Sequence, residues 1–368
     1  MEFKIARDEL QTALYRAQGI VERKTTMPIL SNVLIEASRD QGLVISAFDT
    51  EIGVQSRNTC EILKDGAVAL PGRYLFDIVK SLPAPTVHFK RTPNSQVEIL
   101  SGAAKFKIVS AAAKDFPPLP TAEGVVFFPI QADELALMIE LTQFAISADE
   151  TRYNLGGVFF EQTEAGALRL VATDGHRLSL VERTLAEPVT IERGVILPKK
   201  GLTELRRLLT EAGGHTEFGL TAGSAVLRRD GVMMVMRLLE GVFPDYRQVI
   251  PKENTRTVIL KRSLLLDTLR RVSLVAQDKA SGIKLEVGEG FLSLSSQNPD
   301  LGEAQEQLLA KVEGPPLKVG FNAHYLIEVL AVLTCDEVQI ELSDELSPGL
   351  IRPVGDGGYL AVVMPMRI

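Results

Sequence analysis

The sequence predicts an α+β protein made of three similar domains, each with two helices packed on antiparallel sheets. Three observations carry this. A strand followed by an amphipathic helix opens three segments of the chain. A pair of alternating strands, bent at an Asp or Asn, follows each of those helices. A second strand, turn and helix follows each bent pair in the same order.

The opening units are MEFKIARDELQTALYRA, then VFFPIQADELALMIELTQ from Val126, then RTVILKRSLLLDTLRRVS from Arg256. Each contains a short apolar strand, an Asp or Ser expected to cap, and a helical stripe. The stripes are Leu10, Leu14 and Ala17; Leu135, Met138 and Leu141; and Leu265, Leu269 and Val272. The strand pairs bend at Asp49, Asp174 and Asn298, which are 125 and 124 residues apart. Asp and Asn suit such bends because their side chains bond to backbone two residues on. VALPGRYLFDIVKSL, VILPKKGLTELRRLL and KVGFNAHYLIEVLAVL supply the second helices. The copies close on FPPLP, FPDYRQVIP and MPMRI. The expected domains are 1–122, 123–253 and 254–368.

Bulk composition agrees. A chain of 368 residues fits two or three domains. Its 45% hydrophobic and 24% charged residues are those of an ordinary globular protein. A net charge of -7 means that any nucleic-acid surface must come from segregated basic residues. Cys60 and Cys335 form no CxxC, so neither a disulfide framework nor a zinc cluster is expected, and a reducing, cytoplasmic setting is. No cofactor is expected. MEFKIARDEL lacks the apolar core of a secretory signal, and no apolar run is long enough for a membrane span.

The stretch VATDGHRL, Val171 to Leu178, invites a chemical reading because Asp174 and His176 flank Gly175. The equivalent turns carry Asp49-Thr50-Glu51 and Asn298-Pro299-Asp300, so the turn is structural and the histidine is peculiar to the middle copy. No GxSxG or HExxH occurs, and His88, His215 and His324 are isolated. A hydrolase using Asp174 and His176 lacks a third group. A satisfied structural histidine and a histidine on a binding surface both remain, and the second is preferred. No enzyme is expected.

Four strings in order, MPILSNVLIEA, VATDGHRLSLVE, FPDYRQVIP and VVMPMRI, resemble the bacterial sliding clamp family, the beta subunit of DNA polymerase III. The resemblance covers the whole chain. It implies the DNA clamp fold, with two chains forming a six-domain ring around double-stranded DNA. It implies a non-catalytic processivity factor that tethers the replicative polymerase, the clamp loader and other proteins through short linear motifs. By resemblance the peptide pocket comprises Leu155, Thr173, Gly175, His176, Arg177, Leu178, Pro244, Gln248, Val249, Val362, Met364, Pro365 and Met366. DNA contacts fall on Lys24, Arg73, Arg152, Tyr153, Lys199 and Lys200, and the face of the fourth helix adds Arg207. The subunit contact sets Lys105, Phe106, Lys107 and Ile108 against Leu274, Asp300, Glu303 and Glu306. This chain departs from the family at Gln248, at Ser273 and in the acidic loop Asp149-Glu150.

The charges can be read independently. Segments 7–18, 73–80, 133–141, 199–211, 261–271 and 322–333 carry twelve Lys/Arg against ten Asp/Glu, a net +2 that leaves -9 elsewhere. On the fourth helix the stripe Leu202, Leu205 and Leu208/Leu209 should face the sheet and put Lys199, Lys200 and Arg207 on an open face. The alternative is a monomeric peptide-binding scaffold of the same fold that does not encircle DNA.

Overall fold

A computed structural model describes residues 1–21, 26–186, 191–211, 215–276 and 282–367. Among them are six α-helices: α1 Arg7–Ala17, α2 Gly72–Ser81, α3 Ala132–Gln143, α4 Lys199–Leu209, α5 Arg262–Val272 and α6 Ala323–Val332. The apolar stripes on α1, α3 and α5 are buried as their spacing requires. The capping expectation fails on two of these helices. α1 and α5 start directly from their strands, at Arg7 and Arg262, and neither Ala6 nor Lys261 makes a side-chain cap. Asp8 instead occupies the first turn of α1, where the helix dipole favours a carboxylate. α6 is capped, with Asn322 accepting from the His324 N–H at 2.9 Å.

The chain divides into two compact units: residues 1–133 with 200–238, and residues 134–199 with 239–368. The cut runs through the middle copy, because strands of neighbouring copies pair with one another. In the first unit an eight-stranded sheet joins the first two copies where Val232–Arg237 runs antiparallel to Ile52–Asn58, with Val235 opposite Gly53. In the second unit a nine-stranded sheet joins the last two copies where Arg177–Arg183 runs antiparallel to Tyr359–Val363, with Ser179 opposite Ala361. Each joint therefore consists of backbone hydrogen bonds as well as side-chain packing. The second is reinforced by the buried Ser179 hydroxyl, which donates to Leu141 O at 2.5 Å and meets the Tyr359 hydroxyl at 3.1 Å.

Each unit also holds a smaller open sheet, whose two end strands each pair on one side only. In the first unit a five-stranded sheet ends at Ala104–Val109. In the second a four-stranded sheet ends at Gly302–Leu309. No helix among the described residues is long and apolar enough to cross a membrane.

The threefold repeat extends to atoms. Asp49 Oδ1 accepts from the N–H groups of Glu51 and Ile52 at 2.9 and 2.6 Å. Asp174 Oδ1 accepts from His176 and Arg177 at 2.9 and 3.0 Å. Asn298 Oδ1 accepts from Asp300 and Leu301 at 2.9 and 3.3 Å. The residue after the aspartate has positive φ in two copies, +81° at Thr50 and +88° at Gly175. Pro299 cannot adopt that conformation, and in the third copy the positive φ falls later, at Gly302.

Two glycines separate crowding from backbone strain. A Cβ on Gly157 would lie 2.1 Å from the Leu197 carbonyl oxygen, whereas one on Gly290, at φ +76°, would meet nothing within 4 Å. Gly157→Ala is expected to lower stability by at least about 2 kcal/mol through overpacking. Gly290→Ala should cost only about 1 kcal/mol of left-handed strain. Urea unfolding of both variants checks the ranking, and equal costs would contradict it.

Candidate functional site

The expected pocket residues all lie in the second unit, and the structure sorts them by depth. Leu155, Leu178 and Val362 are buried in one apolar cluster with Val171, Phe243, Tyr246 and Leu360. Phe159 packs against that cluster, and its ring stacks on Phe243 with centroids 4.9 Å apart. The Tyr246 ring is buried while its hydroxyl bonds to Glu161 and accepts from Arg169 Nη1 at 2.9 Å. This anchors the FPDYRQ loop. Pro244, Gln248 and Val249 on that loop are exposed beside the cluster. An apolar cluster beside exposed loop residues suits a ligand with apolar anchors.

The VATDGHRL turn flanks the cluster, and its buried charged side chain is Arg177. Its guanidinium meets Asp174 Oδ2 at 3.2 Å through Nε, Glu328 through Nη1 and the Phe144 carbonyl at 2.8 Å through Nη2. It also lies over the Tyr325 ring, 4.6 Å from the centroid. One side chain thus ties the turn to the end of α3 and to the face of α6. Arg177 was expected as a lining residue; it is a positioning residue. Glu328, Tyr325 and Phe144 were not singled out in the sequence, since they stand 33 to 151 residues away from Arg177.

His176 is exposed, with its ring nearly parallel to Tyr325. The Asp174 carboxylate is occupied by two backbone amides and Arg177, so it does not orient the imidazole for acid–base work. The hydrolase reading therefore loses its dyad. Thr173 is buried, and its hydroxyl donates to Arg177 O at 2.6 Å. Gly175 leaves space that Arg152 uses: a Cβ there would fall 3.1 Å from Arg152 Nη1. Arg152, expected on a DNA surface, thus stands at the groove's mouth. Asp149 is 3.6 Å from Arg152 and also caps Thr151, so the acidic loop is partly neutralised within itself.

The chain's last residues divide. The Met364 N–H donates to His176 O at 2.9 Å, which sets it at the groove wall. Met364, Pro365 and Met366 together line a separate cavity against the four-stranded sheet. Gln248 donates to Asp245 Oδ2 at 3.0 Å, so its amide is tethered to its own loop.

The residues expected at DNA divide as well. Lys24 lies outside the described residues. Arg73 donates to the carbonyls of Val21 and Gln18. Lys199 and Tyr153 are exposed. Lys200 and Arg207 correct the expected open face of α4. The Lys200 ammonium lies 2.5 Å from Asp49. Arg207 pairs with Glu204, donates to the Tyr15 and Arg16 carbonyls, and covers the Tyr15 ring. The leucine stripe is buried as expected, but the flank of α4 that carries Arg207 packs on the end of α1. Glu204 is buried because Gly19 has no side chain; a Cβ there would lie 1.9 Å from Glu204 Oε1. Burial pushes the Glu204 carboxyl above its ordinary range.

The end strands Ala104–Val109 and Gly302–Leu309, with the residues beside them, hold the expected subunit-contact residues. Lys105 and Lys107 share Glu98, at 2.9 and 3.4 Å. Lys105 foremost holds that carboxyl below its usual range. Ile108 is buried, so the exposed apolar residue on this edge is Val109, 68% exposed, with Phe106 half-buried. On the other edge Glu306 is bound by Arg271 at 2.5 Å, while Asp300 and Glu303 are exposed. Leu274, Leu301 and Leu309 are 78, 70 and 90% exposed.

Three repeated two-helix domains with sheets continuous across the copies define the DNA clamp fold. The models of the N-terminal, central and C-terminal domains of the DNA polymerase III beta subunit match residues 1–120, 129–245 and 247–367. The beta sliding clamps of Pseudomonas aeruginosa and Caulobacter vibrioides are 34% and 32% identical, each over the full length of both chains. A sliding clamp from Bartonella birtlesii bound to griselimycin superposes with TM-score 0.94 at 36% identity, and the Pseudomonas aeruginosa beta subunit with TM-score 0.95 at 33%, both covering all of each chain. The chain belongs to the DNA polymerase III beta subunit family, the sliding clamps. That family is a processivity factor in DNA replication and is not itself catalytic.

Two outcomes test these assignments. Arg177→Met removes one partner of a buried charge network and should cost about 3–5 kcal/mol in urea unfolding. His176→Ala, at an exposed site, should stay within about 0.5 kcal/mol. A mild Arg177→Met would refute the positioning role. Glu204, with its folded value raised above 4.5, holds its proton in the folded state where the unfolded chain has lost it. It therefore makes stability fall as pH rises above 4.5 through the raised value. Glu204→Gln should flatten that fall in denaturation curves run across pH, and an unchanged slope would count against it.

Proposed function

We propose that two copies of this chain close into a ring of six similar domains around double-stranded DNA. The observation that carries this is a pair of unlike, open sheet edges, at Ala104–Val109 and Gly302–Leu309. One edge sets two lysines against a single glutamate and exposes Val109. The other pairs Glu306 with Arg271, carries Asp300 and Glu303 exposed, and exposes Leu301 and Leu309 beside Leu274. An open edge is a template for another strand. Unlike edges suit contact between different surfaces of two copies, which closes only when the rotation fits. Charges of opposite sign favour one edge meeting the other over like edges meeting.

The groove supports docking of short linear motifs from the replicative polymerase, the clamp loader and other replication or repair proteins, in the cytoplasm. Its floor is apolar and its tethered wall is preorganised. Arg73, Lys199 and Tyr153, with Lys24, are proposed to touch DNA phosphates without reading sequence. Lys200 and Arg207 serve that surface by fixing α4, to the turn at Asp49 and to the end of α1 respectively, and Arg152 serves the groove.

Light scattering should return the mass of two chains at micromolar concentration, with retention on circular DNA and loss from linear ends. One chain's mass would favour the monomeric scaffold. Lys199→Ala should lower the salt slope of DNA binding by about 0.9, as for one phosphate contact, and leave peptide affinity unchanged. Lys200→Ala should show chiefly as lost stability. A Lys199→Ala protein that loses peptide binding would merge the two surfaces.

A further inference from the structure

Beside the groove lies a cavity of about 990 Å³. Its floor is formed by the strands Gly282–Gly288, Phe291–Asn298 and Leu317–Asn322, and its wall by residues 364–367. Met364 links the two sites: its N–H is bonded to His176 in the groove wall, and the residue also lines the cavity. Two residues on, the Met366 N–H donates to Gly320 O at 2.9 Å and lays the chain along the floor. Met364 is thus the residue common to the groove wall and the cavity lining.

That lining is mixed: Val319, Leu346 and the Met364-Pro365-Met366 run are apolar, and the remainder is mostly polar and basic. Lys284, Lys318 and Arg367 line it with Ser295 and Gln297, against the single carboxylate of Glu345. Lys318 is 3.1 Å from Glu286, so that pair cancels. Lys284 and Arg367 against Glu345 leave one positive charge in a concave site open to solvent. Lys284 is exposed, and neither a hydrogen bond nor an ion pair holds it among the described residues.

We propose that a docking segment places its apolar anchors in the groove and runs acidic flanking residues into this cavity, carboxylates toward Lys284. This rests on the docking reading and adds a charge preference to it. The apolar floor alone does not discriminate between segments with acidic and neutral flanks; the cavity does. Because the ammonium is exposed, the gain is modest and screened by salt.

The test uses the whole chain and fluorescent peptides with a Leu/Phe core, extended at either end by three Asp or three Ser. At low salt one Asp-tailed peptide should bind about three- to fivefold tighter than its Ser-tailed counterpart, in line with a few exposed ion pairs. Lys284→Ala should reduce that ratio toward one and Lys284→Glu should invert it, with Ser-tailed affinity unchanged in both. Thermal melts confirm that the variants are folded. Equal affinities for Asp and Ser tails, or an Asp advantage that survives Lys284→Glu, overturn this inference alone. Failure of the Ser-tailed peptides to bind at all overturns the docking reading and this inference with it.

Discussion

Backbone pairing across the copy boundaries is the constraint from which the architecture follows. A strand at the end of a sheet presents unsatisfied N–H and C=O groups. Two copies resolve part of this by pairing a strand with the copy before, Val232–Arg237 with the first copy and Tyr359–Val363 with the middle one. The compact units therefore straddle the sequence repeats. A repeat of this kind is not three beads on a string, because each joint has the cooperativity of a sheet interior.

The groove depends on the second joint. Leu178 and Val362 are directly opposite one another in the pairing of Arg177–Arg183 with Tyr359–Val363, so two floor residues are brought together by register. One residue before Leu178, Arg177 fastens the same strand to α6 and to the end of α3. In the proposed groove the floor is set by main-chain hydrogen bonds and the wall by a buried charge, so both are formed in the chain alone. The rim is different in kind: Val249 and Met364 are partly exposed and adaptable, as methionine-bearing surfaces are.

Much of this was legible in the sequence for definite reasons. Helix stripes and strand alternation are local, and the turns at Asp49, Asp174 and Asn298 depend on a side chain reaching two residues along its own backbone. The strings VATDGHRL and FPDYRQ contained many of the residues of the proposed groove. What was not legible depends on distant packing. The polar flank of α4 looked open because nothing in its own sequence records that Tyr15 and Arg16 would cover Arg207. Glu204 is buried on account of a missing side chain at Gly19, 185 residues earlier. Arg177 looked like a contact residue because its partner Glu328 lies a full domain away.

The unlike edges have a consequence for kinetics. In a closed assembly of two copies both joints are identical, so any substitution on one edge is present twice. Parting one joint leaves the two chains tethered by the other, and the broken ends remain at a high effective concentration for each other. Opening is then a unimolecular event that senses the substitution once, independent of protein concentration. Complete separation must break both joints and senses it twice in free energy. Weakening an edge residue such as Val109 or Leu309 would thus shorten the lifetime of the pair far more than it raises the fraction of time spent ajar.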